Sequence, residues 1–156
     1  MSTKYLFPHS WKKLGWFLLL PGTVLGLLRS FIDLMPQWLN VKTFAIYSNP
    51  LFGDPIYFGL VKTNITDSLI GVIFLSGALI TGFSKEKQED EFIAEIRLSA
   101  LLWAVLVNYI LLLLAFIFIY GTVFLSIIIY NVFTVLLLFI IRFHYILYTY
   151  SKKEAL

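Results

Sequence analysis

Between Leu98 and Ile141 the chain carries no acidic or basic residue, and only Tyr120-Gly121 breaks its apolar character. No other feature constrains the fold as much. A run of that length holds two segments of about 20 residues. Each can cross ~30 Å of hydrocarbon as a helix that satisfies its own backbone polar groups. Two earlier segments have the same character, so four spans are predicted, at about 14–32, 65–83, 98–119 and 122–141. Composition agrees, with 60% hydrophobic and 13% charged residues in a chain of 156, against roughly 45–50% and 25% in soluble domains. The expected fold class is therefore an all-α membrane protein, a single domain over 1–156 built as a four-helix bundle. The lack of cysteine excludes disulfides, thiolate metal sites and thiol nucleophiles.

The first span is the least regular. Pro21 and Gly22 interrupt it, Arg29 lies near its far end, and the proline is expected to kink the helix by removing the bond to the Phe17 carbonyl. Its basic flank resembles a signal peptide, but no small-x-small site follows, so it is expected to be retained. The positive residues orient the chain. Nine (Lys4, Lys12, Lys13, Lys85, Lys87, Arg97, Arg142, Lys152, Lys153) fall on one side of the spans, and three (Arg29, Lys42, Lys62) on the other. The positive-inside rule then places both termini in the cytoplasm.

Five of the nine acids lie in SKEKQEDEFIAEIRL, Ser84 to Leu98. With Ser84 as N-cap and acids in the first turns, the spacing predicts one helix from Lys85 to Tyr120 whose first third, a cytoplasmic extension over 84–97, projects from the bilayer. Phe92, Ile93, Ile96 and Ala100 share a stripe with Trp103 at its edge. Glu91 and Glu95 flank it on one side, Glu86, Asp90 and Arg97 on the other. Such a helix is a solubilising stem or a docking surface for a cytosolic partner, the candidate residues being Glu86, Glu89, Asp90, Glu91, Glu95 and Arg97. No metal site is expected from these acids, which lack a nearby histidine.

Asn108 and Asn131 are the most polar residues deep in the third and fourth spans. They sit at nearly equal distances from the Tyr120-Gly121 turn, so an antiparallel hairpin brings them to one depth, where they hydrogen-bond and fix register. The alternative is that they line a permeation or ligand site. Gly22 and Gly26, with Ala78 and Gly82, offer small-xxx-small spacings that permit close approach of spans one and two or of two copies in a homo-oligomer.

The 33–64 connection is expected extracytoplasmically. VKTFAIY and PIYFGLV flank the turn formers SNPLFGD, which predicts a β-hairpin pairing 41–47 with 56–61, with Trp38, Tyr47 and Tyr57 at headgroup level. Arg29, Asp33, Lys62 and Asp67 gather at the same interface and are expected to neutralise one another. Asn64-Ile65-Thr66 is formally a glycosylation sequon abutting a span. His9 and His144 flank the other end as interfacial side chains. No catalytic constellation, Gly-rich phosphate loop, HExxH or GxSxG motif appears, and no cofactor is expected. The tail 142–153 interleaves basic residues with Tyr145, Tyr148 and Tyr150, which suits an anionic membrane surface rather than nucleic acid.

FSKEKQEDEFIAEIRL followed by WAVLVNY, with LGWFLLLPG upstream and a loop containing LFG and YFG, resembles a family of small bacterial multi-pass membrane proteins of unassigned activity. The resemblance implies the bacterial inner membrane. Some such proteins are encoded beside a short Cro-like helix-turn-helix regulator, which the resemblance makes a candidate partner. No functional residue comes with it. The functional expectation is a non-enzymatic sensor or regulatory membrane partner presenting its acidic extension to a cytosolic protein; the alternative is a small transporter or oligomeric channel lined by Asn108 and Asn131.

Overall fold

The computed structural model describes residues 5–32, 35–49 and 54–154. After a short 3-10 turn at His9–Trp11 come α1 (Lys12–Phe31), the strands β1 (Asn40–Ser48) and β2 (Ile56–Asn64), then α2 (Thr66–Gly82), α3 (Glu91–Phe118) and α4 (Thr122–Glu154). Among the described residues three helices are long and apolar enough to cross a membrane: the first together with its preceding turn, α3, and α4. At 17 residues α2 is equally apolar but shorter.

The helices form two antiparallel pairs, α1 on α2 and α3 on α4, which meet chiefly through α2 and α4. Gly121 makes the second pair possible. Its φ of 81° is one that only glycine adopts without strain, and it reverses the chain between α3 and α4 in the turn the sequence predicts. The buried core is concentrated at one end. Leu19, Phe74, Ala78, Ile96, Ala100, Ala104, Phe139, Ile140 and Phe143 pack together there, those of α3 drawn from its first half and those of α4 from its middle. The apolar stripe of α3 thus supplies Ile96 and Ala100 to the core, whereas Phe92 stays half-exposed.

Small residues set the α1–α2 contact, though not all of the expected ones. A Cβ at Gly22 would meet the Phe74 backbone at 2.8 Å, and one at Gly77 would meet the Leu19 nitrogen at 2.4 Å. Gly15 abuts Thr81 in the same way. Ala78 is fully buried in the core, but Gly82 turns to the Phe139 ring of α4 rather than to α1. Among the described residues a Cβ at Gly26 would meet only the Ile70 methyl, at an ordinary 3.8 Å. The closest approach therefore runs through the heptad-spaced Gly15 and Gly22 of α1 and through Gly77 of α2, and not through Gly26.

The hairpin forms as predicted and is longer, with Asn40 opposite Asn64 and Ser48 opposite Ile56. The ladder skips Ile46 and Phe58, where Phe58 takes a φ of 50° that disrupts the pleat. Tyr47 and Tyr57 pack across it with ring centroids 5.2 Å apart. Most of the expected turn, 50–53, lies outside the described residues. Asn64 is structural: its amide donates to the Pro36 carbonyl and to Asn40, while its oxygen accepts from the Thr66 amide that opens α2. Arg29 and Asp67 do pair, Nε to Oδ1 at 2.8 Å. Asp33 lies outside the described residues.

Two expectations about the helices need correction. No helix runs from Lys85 to Tyr120. The segment 83–90 is irregular, and α3 begins at Glu91 with Asp90 as its N-cap, Oδ1 accepting from the Ile93 amide at 2.9 Å. Ser84 cannot cap because its hydroxyl donates back to the Ile80 carbonyl, extending the end of α2. At its other end α4 does not stop at Ile141 but continues to Glu154. Phe143, placed in the basic tail by the sequence reading, is fully buried. Pro21 lies inside α1, which runs as one helix from Lys12 to Phe31.

Candidate functional site

The chemistry-bearing side chains converge where the core is densest. The segment before α1 lies along the segment after α2: the Phe7 amide donates to the Phe83 carbonyl and the Lys85 amide to the Phe7 carbonyl, both at 2.9 Å. His9 Nδ1 donates to the Lys85 carbonyl at 2.9 Å. Lys12, from the first turn of α1, forms an ion pair with Glu86, and both side chains are mostly buried.

From Glu86 the network continues into α3. Its backbone amide donates to Glu89 Oε2 at 2.8 Å. Glu89 in turn receives Arg97 through both oxygens, Nη1 to Oε1 at 2.6 Å and Nη2 to Oε2 at 3.1 Å, a two-pronged geometry that a guanidinium suits better than an ammonium. Arg97 Nη2 also reaches the Ser84 carbonyl at 3.3 Å, and its guanidinium stands 5.0 Å from the Phe143 ring centroid. The arginine is 7% exposed. It is therefore an internal cation and not one extended towards lipid phosphate. Burial alone would raise the Glu89 carboxyl. The hydrogen bonds from Arg97 and the Glu86 amide, with the positive charges of Arg97 and Lys85, outweigh it and hold the group below the usual carboxylate range.

These contacts form a clasp: 83–90 is tied to α1 by Lys12–Glu86 and to α3 by Glu89–Arg97. Beside it, His144 donates from Nδ1 to the Ile140 carbonyl at 2.9 Å and meets the Trp16 ring edge-on at 5.3 Å. His9 and His144 are thus built into this end rather than hanging free. Thr81 Oγ1, Arg97 Nε and His144 Nε2 are buried here without a hydrogen-bond partner among the described residues.

The candidate partner residues separate into two groups. Glu86, Glu89 and Arg97 are directed inward and consumed by the clasp. Asp90 is exposed but caps α3, while Glu91 and Glu95 are exposed one helical turn apart. Glu86, Glu89 and Asp90 serve three different partners (Lys12, Arg97, the Ile93 amide), and do not converge on a common point. Next to Glu95, α3 and α4 leave an open groove of about 550 Å³ lined by Phe92, Ile96, Leu102, Ile146 and Tyr150. Phe92 and Tyr150 meet edge-on across it at 4.9 Å. Sequence reasoning took Lys12 only as an orienting charge and His144 only as an interfacial side chain, and it missed the groove. The groove's signal was the aromatic spacing of the tail, read there as a membrane-surface pattern.

Asn108 and Asn131 sit at the same level and bond reciprocally, amide to carbonyl, at 3.0 and 3.1 Å. Asn108 is 3% exposed. The pair is a register pin between α3 and α4, and the two amides are directed at each other.

Comparison with models of protein families, with curated proteins and with solved structures finds no match to this chain.

Proposed function

We propose that the chain is a four-span integral membrane protein, both ends cytoplasmic, acting as a non-enzymatic regulatory partner that offers the clasp end to a cytosolic protein. The helix exteriors support embedding. Leu102, Leu106, Leu113 and Phe116 on α3, with Val123, Leu125, Ile129 and Val132 on α4, are each more than half exposed. An apolar surface that continuous belongs in hydrocarbon. At about 25 Å by its 17 residues, α2 is near the lower limit for a span. Along the sequence nine of the twelve positive residues fall on the clasp side of the spans, which is the basis for its cytoplasmic side.

The observation that carries the functional reading is the division of the acidic cluster. The inward acids are spent on the clasp, which leaves Glu91 and Glu95 exposed, Glu95 on the edge of an aromatic-lined groove. That combination suits an amphipathic helix whose apolar side enters the groove and whose basic side meets the two glutamates. A polar pathway through Asn108 and Asn131 has less support, because each amide is spent on the other.

Site-specific photocrosslinking from position 99, which lines the groove beside Glu95, tests the proposal in native cells. One cytosolic protein captured by the parent chain and lost in Glu91→Ala/Glu95→Ala supports it; capture of lipid or a second copy alone refutes it. Because no cysteine is present, topology is read separately from Gln88→Cys and Tyr57→Cys. The second is expected to react with an impermeant thiol reagent in intact cells, the first only after permeabilisation.

A further inference from the structure

The two helix pairs are packed together at the clasp end and part towards the hairpin end, leaving a cavity of about 550 Å³ between α1, α2 and α4. Its deeper part is apolar, walled by Phe74, Phe133 and Leu137, with Phe74 and Phe133 edge-on at 5.2 Å. Its other end carries both signs of charge on the paired Arg29 and Asp67, and the Asp67 side chain is 64% exposed.

Two glycines in this wall lack the packing reason that explains the others. Gly15, Gly22 and Gly77 face backbone or side-chain atoms closer than any Cβ tolerates. By contrast, a Cβ would meet Ile70 at 3.8 Å from Gly26 and Phe133 at 3.9 Å from Gly71, both ordinary contacts. Glycine weakens a helix relative to almost any other residue. Here it brings no helix closer, and what it does is keep the cavity open.

We propose that this cavity is a phospholipid site, with one acyl chain between α1, α2 and α4 and a zwitterionic headgroup at Arg29 and Asp67. The proposal rests on the membrane reading above and adds a bound ligand to it. The volume lies within the range of ligand pockets, and the polarity runs in the direction an amphiphile requires: apolar towards the middle of the helices, charged at their end. A headgroup with both phosphate and ammonium matches a cation beside an anion better than an anionic lipid does, because Asp67 would repel the latter.

The test reconstitutes the full chain in bilayers containing a trace of phosphatidylethanolamine with a photoreactive acyl chain, and maps the adducts. Labelling is expected to concentrate on Ile70, Phe133 and Leu137, and to fall at least five-fold in Gly26→Leu/Gly71→Leu. That variant's Tm is expected to stay at or above the parent's, since it fills space and improves two helices. In Asp67→Asn the preference for phosphatidylethanolamine over phosphatidylglycerol in competition should disappear. Adducts spread evenly over Leu106 and Leu113 as well, or unchanged labelling in a double variant that folds, would each overturn the proposal. Should the double variant not fold, Gly71→Ala, whose Cβ meets only an ordinary contact, gives the same comparison with a smaller loss of label. A chain taking up no label on any helix would instead refute embedding itself.

Discussion

Replacing Glu89 with alanine withdraws both carboxylate oxygens from Arg97 and one acceptor from the Glu86 amide. What remains for the guanidinium is the Ser84 carbonyl at 3.3 Å and the Phe143 face at 5.0 Å. Both side chains of the pair are only 9% exposed, so the arginine becomes a buried cation with little compensation. Removing one partner of a buried ion pair costs about 3–5 kcal/mol. The low end, ~3 kcal/mol, applies because the clasp lies at the end of the bundle, where the freed arginine can move towards water. Removing both charges in Glu89→Ala/Arg97→Met should recover most of it, since an apolar side chain against Phe143 needs no counterion. The double variant is expected within about 1 kcal/mol of the parent, giving a coupling of about 2 kcal/mol plus whatever Arg97→Met costs alone. Detergent-denaturation curves followed by circular dichroism measure all four corners of this cycle, and amide exchange over 84–90 reports local opening. A single variant within about 0.5 kcal/mol of the parent, with unchanged exchange, would show that the clasp does not hold the segment.

The same pair has a pH signature. Because Glu89 titrates below its ordinary value when folded, its contribution is complete above the unfolded value near pH 4.3 and is lost as pH falls through the lower folded value. Exchange over 84–90 should therefore rise in that acid window for the parent and be pH-independent there in Glu89→Gln. Asn108→Leu alone should destabilise by roughly 0.6–1.7 kcal/mol, whereas Asn108→Leu/Asn131→Leu should lie closer to the parent, because no amide is left unpaired; the cycle is read from the same denaturation curves. Gly77→Leu should cost at least 1–3 kcal/mol, since its Cβ would lie 2.4 Å from the Leu19 nitrogen. A Tm drop there, with none at Gly26→Leu, would separate packing glycines from cavity glycines.

The apolar segments, the reversal at Tyr120-Gly121, the hairpin and the asparagine register are local or periodic properties, and each was legible in the residues. Span length follows from runs of apolar side chains, the hairpin from alternating β-formers around a turn, and the depth of Asn108 and Asn131 from their distance to a reversal only glycine makes easily. The helix start was not legible. Ser84 and Asp90 are both competent caps, and local preference cannot choose between them. Tertiary structure chose Asp90, because Ser84 is occupied by Ile80 while its neighbours pair with Phe7 and His9, residues more than 70 positions away. For the same reason an acidic run that reads as solvent-exposed contains two glutamates directed inward. Their cations, Lys12 and Arg97, come from separate helices and meet them only once the bundle has formed. Charge count and periodicity are fixed along the chain. Which charge finds which partner, and which glycine faces a backbone or a cavity, depends on how helices remote in sequence settle against one another.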